Sequence, residues 1–208
     1  MAQATFDIDH ITLGDDRLAA AVAIMPVLHW GPGSIGGYEE LLATTRQEIH
    51  LVAWTDDEPI GFALAHTWPG GESDPYLNAL LGVAPAHRRK GVGSALFGSV
   101  SRDARELGKS GFHFEVLEDR ADALEFLAHR GYSEVGRELQ FELNLTAATP
   151  PPAEPPPGVE IVTRAQHPEL VRGIFELACE AGRDIPGTEG EGDAVRYEDW
   201  YAFEIDRP

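Results

Sequence analysis

The chain has 208 residues, 43% of them hydrophobic and 25% charged, which is the composition of a globular protein with one full core and part of another. Its formal charge of −19, from 35 acidic and 16 basic residues, argues against binding to nucleic acid or to an anionic membrane, because so acidic a surface repels polyanions. The single cysteine, Cys179, excludes an internal disulfide, and no CxxC or HxxxH spacing indicates a metal site. With no secretory signal and no apolar run long enough to span a membrane, we expect a cytoplasmic protein.

The first third of the chain predicts a strand, two helices and a strand hairpin. Alternation in TFDIDHIT predicts the strand, and the alanine-rich run from Leu18 to Leu28 predicts a helix that Asp15 can cap. A glycine-rich loop leads to a short helix near Tyr38 to Thr45. The segments EIHLVAW and PIGFALAHTW then predict two strands joined by the turn TDDEP.

The next stretch predicts a mixture of strands and helices that ends in a strand pair. The apolar run YLNALLGVAP predicts a buried strand that ends at Pro85. Helical spacing from Val92 to Leu107 predicts a helix that Gly108 stops. FHFEVL predicts another strand, ADALEFLAH a short helix ended by Gly131, and YSEVG with RELQFELNL a closing strand pair. Hairpin and crossover connections together indicate a mixed α/β fold rather than a doubly wound sheet.

A proline-rich segment divides the chain. TAATPPPAEPPPG cannot form a helix or an interior strand, so it predicts an extended, semi-rigid linker. The predicted organisation is a domain over residues 1–145, a linker over residues 146–158 and a shorter piece over residues 159–208.

The loop after the predicted strand YLNALLGVAP is a basic exception in an acidic chain. Arg88, Arg89 and Lys90 directly precede GVG, and there is no Asp or Glu from Pro75 to Arg102. Glycines that open a helix expose backbone N–H groups at the positive end of the helix dipole, which favours a phosphate or pyrophosphate ligand. The alternative is a solvated basic turn whose glycines serve only chain geometry. Neither the GxGxxG dinucleotide motif nor the GxxxxGK triphosphate motif is present.

These residues resemble the signature of the GCN5-related N-acetyltransferases (GNAT), in which Arg or Gln is followed after two residues by Gly-x-Gly or Gly-x-Ala. Arg88, Gly91 and Gly93 match it, and the order of elements from Phe6 to Leu145 agrees. The resemblance implies an α/β (α+β) fold whose mostly antiparallel sheet is splayed between its fourth and fifth strands. It also implies acetyl-coenzyme A (acetyl-CoA) as co-substrate, with no metal. The residues it assigns to coenzyme A, pyrophosphate on the loop amides and pantetheine along the strand, are Leu81, Val83, Arg88, Arg89, Lys90, Gly91, Val92, Gly93 and Ser94.

The resemblance also implies a catalytic base. An amine with a pKa near 10 must lose a proton before it attacks a thioester. Glu115 matches a position where N-terminal-peptide acetyltransferases of the family often have a base, although a Glu in a strand most often faces solvent. Leu127 stands where the family usually has a tyrosine as acid, and Tyr132 matches a packing aromatic.

Two functions remain open at this point. One is an enzyme that acetylates an amine of a small molecule or peptide, as a monomer or homodimer, and the other is a degenerate, non-catalytic acyl-CoA-binding module. The tail from Val159 resembles the opening of the chain, and YEDW at Tyr197 is similar to YEEL at Tyr38. We therefore expect residues 159–208 to begin a second domain of the same family, the alternative being an unrelated helical extension.

Overall fold

A computed structural model of the chain describes residues 5–25, 35–68, 71–139, 141, 143–146, 154–182, 184 and 196–205. The described strands are β1 (Asp7–His10), β2 (Arg46–Thr55), β3 (Glu58–Thr67), β4 (Tyr76–Val83) and β5 (Gly111–Phe114). The described helices are α1 (Leu18–Ile24), α2 (Ile35–Thr44), α3 (Val92–Glu106), α4 (Ala121–Ala128), α5 (Val171–Gly182) and α6 (Tyr197–Glu204). The chain divides into two compact units, one from residues 1–115 and 177–208 and the other from residues 116–176.

The first unit is built on one five-stranded sheet in the order β1-β2-β3-β4-β5. The pairs from β1 to β4 are antiparallel, whereas β4 and β5 are parallel. β5 pairs only with the first half of β4, from Tyr76 to Ala79, and β4 continues to Val83 beyond it. The predicted mixed, mostly antiparallel sheet that opens between its fourth and fifth strands is confirmed.

Helices cover both faces of the sheet because side chains alternate along each strand. On one face, Val52, Phe62 and Leu64 pack in a cluster with α1 and Tyr38 of α2. On the other face lies α3, whose predicted apolar stripe is buried at every fourth residue from Val92 to Ala104. Leu107, the last residue of the predicted stripe, is exposed. The buried residues of the stripe are Val92, Leu96, Val100 and Ala104.

Gly61 of β3 allows α3 to approach the sheet closely. A Cβ there would lie 2.8 Å from the carbonyl oxygen of Gly82 and 3.1 Å from Cδ1 of Leu96. The carbonyl belongs to the β4 backbone, so it cannot turn away as a flexible side chain would. The absence of a side chain at this position therefore sets the distance between the end of β4 and the start of α3.

We expect Gly61→Ala to destabilise the protein by about 2 kcal/mol, as is typical of overpacking in a close-packed core. Urea unfolding at neutral pH measures the change. The matched control is Gly98→Ala in α3, where nothing lies within 4 Å of the added Cβ and where alanine should stabilise the helix by roughly 0.5–1 kcal/mol. Equal unfolding midpoints for the two variants would contradict this account of Gly61.

Hydrogen bonds fix the parallel pair at the start of β4. The ammonium group of Lys109, which is 6% exposed, donates to the carbonyl oxygens of Glu72 and Asp74 at 2.8 and 2.6 Å. The N–H of Ser110 donates to the Pro75 carbonyl at 2.7 Å. The residues before β5 are thereby tied to those before β4, which sets the parallel register.

The predicted closing strand pair is wrong for the residues that the structure describes. No strand forms in residues 132–139, 141 or 143–145, and residues 140 and 142 lie outside the description. Leu139, Phe141 and Leu143 do alternate, but their side chains are 77%, 89% and 68% exposed. Alternation selects the face of a strand, but a strand also needs a hydrogen-bonding partner, and none pairs with this segment among the described residues.

The tail forms helices without the strand expected before them. Residues 159–163 are not a strand, whereas α5 and α6 occupy the places of the two helices in the proposed second copy. In the first unit, Asp199 of α6 accepts from Nε of Arg196 at 2.7 Å and lies 3.7 Å from Nη2 of Arg46. The second GNAT-like domain and the domain limits at residues 145 and 158 stay predictions.

The other predicted elements agree with the structure, with small changes at their ends. α1 ends at Ile24, and residues 26–34, which include the end of the predicted helix and most of the glycine-rich loop, lie outside the described part of the chain. In the second unit, α4 is followed by Gly131 at a φ of 83°, as expected of a glycine that ends a helix. Among the described helices, none is long and apolar enough to cross a membrane.

Candidate functional site

The basic loop connects the end of β4 to the start of α3. After Val83 the chain makes one 3-10 turn, Pro85–His87, and the N–H of Ala84 donates to the carbonyl of Ile60 on β3 at 2.8 Å. Arg89 and Gly91 have positive φ angles of 59° and 90°. Gly91 is the N-cap of α3, where a left-handed residue followed by helical ones turns successive N–H groups to one side.

The start of α3 presents backbone donors at the positive end of a 15-residue helix. The first hydrogen bond of the helix runs from the N–H of Ala95 to the carbonyl of Gly91 at 3.0 Å. The N–H groups of Val92 and Gly93 precede it, so they have no carbonyl of their own helix to donate to. No side chain caps this terminus. Such an end binds an anion through its amides and its dipole.

The three cations of the loop have different environments. Arg88 is half-buried, and its Nε donates to the carbonyl of Val83, the last residue of β4, at 3.0 Å. Part of its guanidinium therefore holds the loop against the strand, a role that the sequence did not indicate. Arg89 and Lys90 are exposed. Their charges are available to phosphate oxygens, and Ser94, at the third position of α3, is exposed beside them.

Leu81 and Val83 lie on the part of β4 that β5 does not reach. Through their partners Ala63 and Gly61 they share the sheet face on which α3 packs, and both are half-exposed. In the described structure the edge of β4 from Leu80 to Val83 that faces away from β3 has no strand partner. Apart from the Val83 carbonyl, which accepts from Arg88, the N–H and C=O groups on this edge are available for an extended ligand.

Glu115 lies directly after β5, not within it, because that strand ends at Phe114. Its side chain is exposed. In the second unit, Leu127 is half-buried in α4, and its carbonyl accepts from the N–H of Tyr132 at 3.2 Å. Burial raises the pKa of Tyr132, as expected of a packing aromatic.

A buried polar contact lies beneath α2. The hydroxyl of Tyr38 is hydrogen-bonded to Nδ1 of His50 and donates to the carbonyl of Ile11 at 3.3 Å. Nε2 of His50 is buried without a hydrogen-bond partner among the described residues. Burial, together with the nearby His66, lowers the pKa of His50 to about 4, and burial also lowers the pKa of His66. Both imidazoles are therefore neutral at pH 7.

We expect stability to fall as the pH drops from about 6.5 to about 4, in part because of His50. Its folded pKa lies below the unfolded value, so the unfolded chain binds the proton first and the native state loses stability across that window, by roughly 3 kcal/mol. Urea unfolding at a series of pH values measures this. In a His50→Asn variant, whose amide can still bond Tyr38, the slope between pH 6.5 and 4 should be smaller. The same slope in both proteins would refute the assignment.

A row of polar side chains crosses the sheet on the face that packs against α1 and α2. His66 of β3 pairs with Asn78 of β4, which pairs with His113 of β5, so the three side chains share that face. We call them the polar row. Sequence reasoning missed it, although each residue is a lone polar side chain in an apolar run, because alternation does not give the register between strands. Within the described residues, no group of three or more His, Cys, Asp or Glu could hold a metal ion.

Comparison with known proteins agrees with this geometry. The model of the Acetyltransferase (GNAT) family matches residues 24–132, just over half of the chain, and includes β2 to β5, the basic loop and α4. The chain belongs to the GNAT acetyltransferase family. A search of curated proteins finds no match to it.

Solved structures share the GNAT fold with this chain at low sequence identity. The aminoglycoside 6'-N-acetyltransferase AAC(6')-Ih from Acinetobacter baumannii is 20% identical, with 68% of this chain and 99% of that chain covered and a TM-score of 0.52. AAC(6')-Iy in complex with the bisubstrate analogue CoA-S-monomethyl-acetylneamine is 20% identical, with 67% of this chain and 99% of that chain covered and a TM-score of 0.51. The ribosomal-protein-S18-alanine N-acetyltransferase from Escherichia coli is 18% identical, with 64% of this chain and 80% of that chain covered and a TM-score of 0.50.

Proposed function

We propose that this chain transfers an acetyl group from acetyl-CoA to an amine of a small molecule or peptide. The observation that carries the proposal is the junction of β4 and α3. There the amides of Val92 and Gly93, the cations Arg89 and Lys90 and a stretch without any acidic residue form a site for a pyrophosphate. Membership of the GNAT family and the coenzyme A analogue in the AAC(6')-Iy complex support the same ligand.

The open edge of β4 supports the placement of the pantetheine arm. An extended chain with two amide groups can pair with the N–H and C=O groups of Leu81 and with the N–H of Val83, much as an added strand would. A pantetheine arm placed along this edge runs from the basic loop towards the point where β5 separates from β4. We propose that point as the site of the thioester.

The reaction needs a path for one proton. The amine nitrogen, once neutral, attacks the thioester carbonyl, the carbon–sulfur bond breaks, and the proton of the amine leaves while the coenzyme departs as thiolate or thiol. We propose Glu115 as the base, directly or through one water, because it follows β5 where the two strands part. With Leu127 at the position of the usual acid, the thiolate leaves unaided or takes up the proton of the amine, since a thiol is far more acidic than an amine.

The second candidate function is an acyl-CoA-binding module without turnover, which Leu127 favours. Incubation with acetyl-CoA and a panel of amines, followed by measurement of free thiol, separates the two. Thiol release that depends on an amine supports the enzyme. Calorimetric binding of acetyl-CoA without release on any amine supports the module, and absence of binding overturns both.

A further inference from the structure

The polar row is unusual because its buried end leaves hydrogen-bonding groups unused. His66 is 6% exposed, and neither of its ring nitrogens has a hydrogen-bond partner among the described residues. A buried polar group without a partner costs about 1–3 kcal/mol. Such groups persist where a ligand or water completes them.

Aromatic rings border the row. The indole of Trp68 meets the ring of His66 edge-on, with centroids 4.9 Å apart and planes at 78°. The rings of Tyr76 and His113 stack at 4.9 Å with planes at 10°. Trp68 and Tyr76 are 48% and 42% exposed although both are large and aromatic.

Gly111 is what allows this stacking. It pairs with Tyr76 across the parallel strands, and a Cβ on Gly111 would lie 2.8 Å from Cε1 of the Tyr76 ring. The Tyr76 ring therefore lies over the backbone of β5, where it stacks on the His113 imidazole.

The row lies close to the point where β4 and β5 part. Asn78 and Leu80 point to the same face of β4, two residues or about 7 Å apart, and Leu80 is the first residue beyond the pairing with β5. Glu115 follows His113 by two residues at the same point.

From this arrangement we propose that the polar row, with the rings of Tyr76 and Trp68, binds the body of the acceptor, and that this body is a saturated ring bearing hydroxyl groups beside the reacting amine. The proposal rests on the proposed function, which puts the thioester beside Leu80. The imidazole of His66, which burial keeps neutral at pH 7, and the Asn78 amide each both donate and accept hydrogen bonds, as hydroxyl groups do, whereas an ammonium group only donates.

Charge and shape agree with that ligand. The outer faces of the stacked Tyr76 and His113 rings suit the C–H face of a saturated ring. A carboxylate stands near one end of the row, since Glu115 follows His113 by two residues. It attracts a cationic amine before that amine loses its proton.

The test compares two primary amines on six-membered rings, D-glucosamine with hydroxyl groups and cyclohexylamine without them. In a His113→Phe variant, which keeps a flat ring on Tyr76 and loses the nitrogens, the ratio of kcat/KM for glucosamine over that for cyclohexylamine should fall about tenfold. The control His129→Phe changes an exposed histidine after α4 and should leave the ratio unchanged. An unchanged ratio in His113→Phe overturns the proposal.

A second measurement does not need turnover. With coenzyme A bound and histidines labelled with ¹⁵N, glucosamine should shift the ring resonances of His113 and His66, which the His113→Phe and His66→Gln variants identify, and cyclohexylamine should shift them less. Shifts without acetyl transfer would keep this subsite while refuting the proposed enzyme. If neither amine shifts them, or if a peptide with a free N-terminus shifts them and glucosamine does not, the proposed ligand class is wrong.

Discussion

Replacing Gly93 by Val should weaken the binding of coenzyme A by roughly 100-fold or more while the protein stays folded. Gly93 is the second residue of α3 and is half-exposed, with an N–H that precedes the first hydrogen bond of the helix. A branched side chain there would stand between the amides and the pyrophosphate. The loss of two hydrogen bonds to a charged group, about 1.5–3 kcal/mol each, corresponds to that factor. Isothermal calorimetry with coenzyme A measures it.

The control for this prediction is Gly98→Val, the same change five residues further along α3. Gly98 is exposed, and nothing lies within 4 Å of an added Cβ. Its affinity for coenzyme A should match that of the wild type, and both variants gain similar helix propensity because valine is a better helix former than glycine. A folded Gly93→Val protein with unchanged affinity would show that the β4–α3 junction is not the coenzyme site.

Replacing Glu115 by Gln should lower kcat by roughly 100-fold, the lower end for a positioned base, with little change in affinity for coenzyme A. Glutamine keeps the shape and removes the basic oxygen. The loss should shrink at high pH, where more of the amine is already neutral. Steady-state rates across a pH series, with calorimetry of coenzyme A on the same protein, measure both effects.

Glu118→Gln is the matched control for Glu115. Glu118 is an exposed carboxylate three residues further on, 3.2 Å from Nη1 of Arg137, and its removal should leave kcat unchanged. Normal turnover of Glu115→Gln at neutral pH would make Glu115 a surface carboxylate. The proton would then leave through ordered water or a backbone carbonyl.

The local features of this protein could be read from its sequence. Helical spacing from Val92 onwards predicted α3, and the glycines after Lys90 predicted a helix start with exposed amides. A helix terminus and a tight loop depend on residues that are neighbours in the chain, so their chemistry is visible there. The same holds for β2, β3 and β4, whose apolar runs are long and bounded by turn residues.

The tertiary structure decided everything that depends on which strands lie side by side. The polar row exists only because β3, β4 and β5 pair in one register, and a shift by one residue would turn His66 or His113 to the α3 face. It also decided that Arg88 bonds to Val83, that β5 ends before Glu115, and that the residues described between 136 and 145 form no strand. Alternation, charge and spacing describe a residue's preferences, but a hydrogen-bonding partner from a distant part of the chain determines whether they are met.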